Sequence, residues 1–384
     1  MKRYTLCTLL ALAIGNETFG APSKKVTPPP ASPKQEVTAP SMCAAPSAAR
    51  ITLSDRPENW PCNTFVKATF LYWYAAQDGM TLATSSSLQS NSTVALERGT
   101  QLLMQPFSYD PGFKIELGFG FDEWELASEY TWVRQSTTAN SSAPADTQLG
   151  GTGVWVMGDW FIQGVGSNDE GISATAVSSQ WKLAMDQVDT TANYFYLRNP
   201  YLTLSPYGGV RAVWLRQSLQ IDATVPSTAL TVGQLPLASL PIYSHNTTHS
   251  WGLGPIVGGS VLCRVGDSGF RLEGQGNAGF LFTQYTSLYH SEKAASASAT
   301  PTLFSIQQNN YNTVRAVGEL GMGLGWGSYL SCNQYHIDLS LDYTFQVFWN
   351  QNMMRTLVDE FELGVSTSND LFFHGLNFTT RFDF

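Results

Sequence analysis

The sequence predicts an all-β fold, an antiparallel transmembrane β-barrel of about 10–14 strands with short periplasmic turns and long extracellular loops. Three observations support this prediction. Of the 384 residues, 12% are aromatic and only 13% are charged, whereas about a quarter of the residues in a soluble domain are charged. The chain contains no run of about 18 apolar residues, which is the length that a membrane helix needs. Several segments alternate between apolar and polar side chains, as strands between lipid and a wet interior do.

The C-terminal segment shows this alternation most clearly, and we expect it to close the barrel. One face carries Leu376, Phe378, Thr380, Phe382 and Phe384, and the other carries Asn377, Thr379, Arg381 and Asp383. An unpaired strand edge is unfavourable in lipid, because its backbone groups find no water there. This strand should therefore pair within a closed sheet.

Two segments precede the predicted barrel, which we place at residues 64–384. Residues 1–20 begin with Lys2 and Arg3 and continue with an apolar run, which is typical of a secretory signal peptide. Residues 21–63 are rich in Pro, Ala and Ser, so we expect a disordered periplasmic tether. A plain spacer, a plug and a peptidoglycan contact are all compatible with this composition.

The first predicted strand is Thr64–Ala76, which is rich in β-branched and aromatic residues. Its Tyr72 and Trp73 should lie in an aromatic girdle at the membrane boundary. The polar segment Gln77–Pro111 follows, and we interpret it as the first extracellular excursion, with a hairpin at Gln101–Met104.

The next two predicted strands are joined by a short turn. Phe113–Phe121 alternates strictly, and after residues 122 and 123 the apolar face continues. Three aromatic residues on that face, Trp124, Tyr130 and Trp132, are assigned to the girdle. A short turn at this end is typical of the periplasmic side of bacterial barrels.

The middle of the chain contains two clearer strands, Trp181–Asp186 and Leu202–Gln217. Two shorter segments, Val154–Ile162 and Tyr194–Leu197, are ambiguous and could supply a further pair. We interpret three polar segments mainly as loops: Ser136–Ser179, Gln220–Thr248 and Tyr285–Asn312.

The C-terminal third begins with a hairpin, because Trp251–Val265 and Phe270–Phe282 flank a turn with glycines at both ends. Later strands are expected at residues 314–326, 335–345 and 370–384. Further girdle residues are Trp326, Tyr343, Phe382 and Phe384. Ten clear strands place every tight turn on one side of the membrane and every polar loop on the other.

The polar face of these strands should line the barrel interior. Its predicted pore-lining residues are Lys114, Glu116, Glu125, Glu129, Arg271, Glu273, Arg315, Glu319, Asp338 and Asp342. With Glu123, Arg381 and Asp383 this face carries four basic and nine acidic side chains. Excess acid raises the local cation concentration, which predicts a mild cation preference. Alternatively, Arg271 with Glu273 and Arg315 with Glu319 are structural pairs.

Strand number limits the width of any pore, because about eight strands give a filled interior and about sixteen an aqueous channel. We therefore expect a narrow pore. Interior glycines such as Gly118, Gly321, Gly323 and Gly325 would widen it, or would let an inward-folded loop lie close to the wall.

The sequence offers little for metal binding or catalysis. Cys43, Cys62, Cys263 and Cys332 remain after removal of the signal peptide, and they allow three disulfide connectivities between which the sequence cannot choose. His245 and His249 lie in a Thr/Ser-rich segment without a neighbouring carboxylate, so we interpret them as solvated loop residues rather than metal ligands.

We predict no enzyme activity and no cofactor. The net charge of −9 argues against a nucleic-acid partner.

Four phrases resemble the pore-forming major outer membrane protein family of legionella and chlamydia-like bacteria. They are Phe70–Trp73, Tyr109–Phe119, Ser205–Trp214 and Leu371–Phe378. The resemblance extends over most of the chain after about Thr64, and it implies an outer-membrane porin with surface exposure and host-cell contact. Chlamydial members are rich in cysteines that cross-link the envelope, so the four cysteines here put a disulfide-bonded envelope in doubt.

We therefore predict a porin of the bacterial outer membrane for ions and small hydrophilic solutes. The alternative is a surface-exposed adhesin or envelope-structural barrel with little transport; a soluble exported β-sandwich is the structural alternative. The expected partners are outer-membrane lipid, the barrel-assembly machinery acting on the C-terminal strand, host-cell or envelope components, and further copies of the chain in a homo-oligomer.

Overall fold

The computed structural model describes residues 63–88, 101–121, 123–143, 152–157, 160–161, 172–224, 230–232, 235–237, 241–266, 268–294, 302–330, 335–365 and 367–384. The predicted signal peptide and the predicted tether up to residue 62 lie outside these ranges. Cys43, Cys62 and Cys332 lie outside them too, so the disulfides stay predictions. Within the described ranges, Cys263 is bonded to no other cysteine.

The described elements are eighteen strands and one helix. In chain order they are β1 (Asn63–Gln77), β2 (Thr81–Leu88), β3 (Leu102–Met104), β4 (Tyr109–Phe121), β5 (Trp124–Ser142), β6 (Thr152–Met157), β7 (Ile172–Ala174), β8 (Ala176–Tyr194), β9 (Leu197–Arg198), β10 (Leu202–Thr224), β11 (Leu230–Val232), β12 (Leu235–Leu237), β13 (Pro241–Arg264), β14 (Phe270–Ala294), β15 (Thr302–Gln308), β16 (Tyr311–Leu330), β17 (Tyr335–Asn352), α1 (Thr356–Leu363) and β18 (Asn369–Asp383). In the part of the chain that the structure describes, no helix is long and apolar enough to cross a membrane.

Ten of the strands form a closed antiparallel barrel, which confirms the predicted fold class. Each wall strand pairs with the next along the chain, in the order β1, β4, β5, β8, β10, β13, β14, β16, β17 and β18. The C-terminal strand β18 then pairs with β1, where Phe378 lies opposite Phe70. The backbone N–H of Phe384 donates to the carbonyl oxygen of Thr64 at 2.9 Å. The last strand therefore closes the sheet.

Tight connections and long connections lie at opposite ends of the barrel. β4 and β5 are joined by two residues, and β13 and β14 by five. In the second turn Gly266 and Gly269 have φ of 57° and 78°, a conformation that glycine adopts without strain. Every connection that contains one of β2, β6, β11 or β15, or the helix α1, lies at the other end, so the predicted asymmetry is present.

The wall strands are longer than the sequence predicted. The three segments interpreted as loops begin with wall residues: β5 runs to Ser142, β10 to Thr224 and β14 to Ala294. Their outward side chains are polar, whereas inward ones such as Leu219 and Ile221 are fully buried. A wall that continues beyond the membrane is polar outside and apolar inside, so its composition resembles that of a loop.

Four short strands from the long connections form a second sheet, in the order β3, β2, β6 and β7. The predicted hairpin at Gln101–Met104 corresponds to β3, which pairs with β2. The ambiguous island Val154–Ile162 contributes no wall strand, because its residues up to Met157 belong to β6, which pairs with β2 and β7, and Trp160 and Phe161 are buried. Likewise, Leu197 belongs to the short strand β9, which pairs with β10 alone. We call the four-stranded sheet together with Trp160 and Phe161 the lid.

Candidate functional site in the barrel interior

The interior at the long-loop end is filled by apolar side chains. Inward-facing wall residues and lid residues form one buried cluster, which we call the seal. Its largest fully buried members are Trp73, Trp160, Trp181, Phe161, Phe348 and Phe373. Trp73 Nε1 donates to Asn377 Oδ1 at 2.6 Å, and Trp160 Nε1 donates to the carbonyl oxygen of Thr81 at 2.6 Å. These two indole N–H groups therefore keep hydrogen bonds inside an apolar region, whereas the buried indole N–H groups of Trp155 and Trp181 have no hydrogen-bond partner among the described residues.

The lid is attached to the wall through Gln105, which follows β3. Gln105 Nε2 donates to Thr137 Oγ1 at 3.0 Å, and Ser179 Oγ donates to Gln105 Oε1 at 2.6 Å. Thr137 and Ser179 face inward from β5 and β8. One buried amide thus joins the lid to two wall strands.

The interior at the short-turn end is a polar chamber of about 270 Å³. The inward-facing Gln275 is exposed there, so water reaches this part of the interior. The charged residues that line the chamber are Lys67, Lys114, Glu116, Glu125, Glu129, Asp189, Arg198, Arg211, Arg264, Arg271, Glu273, Glu319, Asp338, Asp342 and Arg381.

Arg211 is the centre of the charge network in the chamber. Its side chain is 1% exposed, and its Nη2 lies 2.7 Å from both Asp189 Oδ2 and Glu319 Oε2. Lys114 Nζ contacts Glu129 at 2.9 Å and approaches Glu319 to 3.8 Å. These pairs join β4, β5, β8, β10 and β16, so they connect strands that are not neighbours in the sheet. Buried charges of this kind require such partners.

A second group of ion pairs lies nearer the short turns. Arg381 Nη2 contacts Glu125 and Asp383, each at 2.9 Å, and its guanidinium lies 3.5 Å from the ring centre of Phe65. Arg271 pairs with Asp338 and, at 3.4 Å, with Glu273. The chamber wall is therefore held by side chains that reach across the interior.

A family model described as the Legionella pneumophila major outer membrane protein precursor matches residues 57–384. The chain belongs to that family. As a member of the major outer membrane protein family, it is a β-barrel protein of the bacterial outer membrane. The search of curated proteins found no significant match.

Solved structures with a similar fold include three barrels of low sequence identity. The outer membrane protease OmpT from Escherichia coli is 10% identical, with 84% of this chain and 97% of that chain covered and a TM-score of 0.38. A Pseudomonas aeruginosa FadL homologue is 9% identical, with 84% and 90% covered and a TM-score of 0.27. A major outer membrane protein from Thermus thermophilus is 9% identical, with 85% and 100% covered and a TM-score of 0.25.

Nine of the ten predicted pore-lining residues of this major outer membrane protein line the chamber. Arg315 does not, because it lies toward the long-loop end, where its Nε donates to the Tyr285 hydroxyl at 3.2 Å. The predicted pair of Arg315 with Glu319 is therefore wrong, whereas Arg271 does pair with Glu273. Glu123 is exposed in a turn and accepts a hydrogen bond from Tyr194. That the chamber lies on a conducting path stays a prediction.

Five charged residues of the chamber were not predicted from the sequence. They are Lys67, Asp189, Arg198, Arg211 and Arg264. Lys67 and Arg211 each lie at an inward position of their strand, so the two-residue period would have identified them. The aromatic cluster of β1 and the glycines of β10 obscured that period.

All predicted girdle residues except Trp73 face outward, and their place at the membrane boundary stays a prediction. Outward-facing members are Tyr72, Trp124, Tyr130, Trp132, Trp326, Tyr343, Phe382 and Phe384. Trp73 is only 1% exposed, because odd-numbered residues of β1 face inward. The histidines of the predicted solvated loop, His245 and His249, lie instead on β13. Among the described residues, no group of three or more His, Cys, Asp or Glu could hold a metal ion.

Two interior glycines accommodate neighbouring side chains rather than widening the interior. A Cβ on Gly118 would lie 2.4 Å from the Phe65 ring, and one on Gly325 would lie 2.6 Å from the Arg271 guanidinium. Both contacts are far below van der Waals distance. The glycines therefore let Phe65 and Arg271 lie flat against the neighbouring strand, where each glycine is the direct cross-strand partner.

Proposed function

We propose that this major outer membrane protein is a porin with a narrow, gated path for the passive diffusion of ions and small hydrophilic solutes. The observation that carries this proposal is the water-accessible charged chamber, which occupies the short-turn end of the interior. A filled structural barrel has no need to keep so many charges there, since buried charge is costly.

The lid is the gate in this proposal. Trp155, Met157 and Trp160 reach the seal from connections between wall strands, not from the wall itself. Movement of these connections would open the seal without breaking the ten-stranded sheet. Loops and lids move at a small cost compared with a hydrogen-bonded sheet.

Ion selectivity should be weak. Seven Lys or Arg and eight Asp or Glu side chains line the chamber as far as the structure describes it, which is more balanced than the four and nine counted from the sequence. Most of these charges are paired, so they attract mobile ions less strongly. We retain a cation preference, but a slight one.

Solute passage can be tested by swelling of liposomes that contain the refolded protein. We expect glycerol and small amino acids to enter and trisaccharides to be excluded, because a ten-stranded barrel is narrow. Absence of swelling with every solute, from protein that shows heat-modifiable mobility on a denaturing gel, would contradict the proposal.

The second candidate is a surface-exposed structural or adhesive barrel with little transport. The seal favours it, because Trp73, Trp160 and Trp181 fill the interior at the long-loop end. Host-cell or envelope contacts and self-association would then be the main roles of the exposed connections. Like the porin, this second candidate is not an enzyme, and the family membership favours both candidates equally.

A further inference from the structure

The outward face of the barrel wall carries very few basic residues, and most of them lie together. On the described wall strands the outward-facing Lys and Arg residues are Arg134, Lys182, Arg216 and Lys293. Arg134, Lys182 and Arg216 belong to the neighbouring strands β5, β8 and β10. Arg134 and Arg216 both lie opposite Ala184 of β8, and Lys182 is the next outward residue along that strand. The three cations therefore form one patch.

A single carboxylate serves both arginines of this patch. Arg134 Nη2 donates to both oxygens of Asp186 at 2.9 Å, and Arg216 Nη2 lies 3.4 Å from the same carboxylate. Asp186 also accepts a hydrogen bond from Tyr130 at 2.7 Å. With Lys182 included, the patch has an excess of two positive charges. The Arg216 side chain is 59% exposed, so its remaining N–H donors face outward.

A row of tryptophans lies directly below the patch. Asp186 is opposite Trp132 on one side and Trp214 on the other, and Trp214 is opposite Trp251. All three indoles face outward, and side chains above this row are mainly polar. The row therefore marks the boundary at which the wall leaves the apolar part of the membrane.

An outward-facing cavity of about 470 Å³ lies at this boundary. It is lined by Asp186, Trp214, Arg216, His249, Ser250, Trp251 and Thr286. A bulge between β13 and β14, at His249 and Ser250, forms part of it. The cavity thus has an indole floor on the membrane side and an arginine on the opposite rim.

We propose that this cavity binds the phosphorylated headgroup of an outer-leaflet glycolipid. The phosphate contacts Arg216 at the cavity rim, and Lys182, on the neighbouring strand β8, adds positive charge beside the cavity. An acyl chain lies along Trp214 and Trp251. Guanidinium and ammonium groups bind phosphate through charge-assisted hydrogen bonds, and their attraction increases next to an anionic membrane surface. Indole rings suit the level at which headgroup and acyl chain meet.

The proposal can be tested by native mass spectrometry of the detergent-solubilised, refolded protein titrated with diphosphoryl lipid A. The paired variant Arg216→Gln with Lys182→Gln should raise the half-saturating lipid concentration about twenty-five-fold, because each lost cation weakens binding about fivefold. The control Lys293→Gln removes an outward charge away from the cavity and should leave binding unchanged. Heat-modifiable mobility shows whether each variant is folded.

Two further binding measurements use the unaltered protein and so do not depend on the folding of a variant. Lipid A stripped of its phosphates should bind at least tenfold more weakly, and inorganic phosphate should compete only at far higher concentrations than lipid A. Equal binding of the stripped lipid would overturn the proposal. So would displacement of lipid A by inorganic phosphate at equal concentration, which would indicate a simple anion site, or unchanged binding by the folded double variant.

Discussion

The two ends of the barrel interior place opposite chemistry on the same inward positions of the same strands. On β10, Arg211 faces the chamber, whereas Leu215, Leu219 and Ile221 face the seal. On β1, Lys67 and Trp73 show the same contrast. Strand alternation determines which side chains point inward. Whether they are charged or apolar depends on what fills the interior beside them, which is water at the short-turn end and apolar lid side chains at the long-loop end.

The largest expected effect concerns the buried charges of the chamber. Arg211→Ala should lower the free energy of unfolding by about 3–5 kcal/mol, because it removes the ion-pair partner of the buried Asp189 carboxylate and leaves Glu319 with only the longer ion pair to Lys114. Urea unfolding in detergent micelles, followed by tryptophan fluorescence, measures the change.

The matched control is Arg216→Ala, which removes an arginine from the same strand. Arg216 pairs with Asp186 on the outward face and is 59% exposed, so its loss should cost less than about 1 kcal/mol. Equal losses for the two variants would mean that the chamber is as well hydrated as the outer surface.

An intermediate effect is expected where the wall is closely packed. Gly118→Ala should destabilise the barrel by about 1–3 kcal/mol, because the new Cβ would clash with the Phe65 ring and with the carbonyl oxygen of Leu126, 2.7 Å away. Gly208→Ala is the control, since its Cβ would meet only one atom, at 3.9 Å. A neutral Gly118→Ala in urea unfolding would show that this part of the chamber is loosely packed.

The smallest effect concerns ion selectivity. Lys67→Gln removes one of the seven basic side chains of the chamber, and Lys67 Nζ lies 2.8 Å from Glu116. We expect the cation-to-anion permeability ratio to rise by less than about twofold, because paired and balanced charges produce a weak field. Reversal potentials in a salt gradient measure this ratio; a shift toward anions would contradict the account.

The local part of the fold was predictable from the sequence, and the long-range part was not. The period of two in residues 113–121 and 376–384 assigns inward and outward faces correctly, because each strand separates lipid from interior. It does not reveal ion pairs such as Arg211 with Glu319 or Arg381 with Glu125, which cross the barrel. Those contacts depend on closure and register. The predicted pair of Arg315 with Glu319 is absent for another reason, because residues four apart on one strand are about 13 Å from each other.

The seal was not predictable for a different reason. Trp73 resembles a girdle residue by type, and the buried island around Trp155 resembles an extra strand. For Trp73, the girdle and the seal are distinguished only by its odd-numbered position on β1, which faces inward like that of Lys67. The polar outward face above the membrane also concealed the length of β10 and β13.

The central claim, that the lid and the seal close a conducting path, is tested most directly by single-channel recording in planar bilayers. The unaltered protein should open rarely. Trp160→Ala should increase the open probability at least several-fold, because it removes a fully buried side chain and its hydrogen bond to Thr81 from the seal. Trp124→Ala, on the outward face near the short turns, should leave the recordings unchanged. Silence from both the unaltered protein and folded Trp160→Ala would contradict the account and favour a structural barrel.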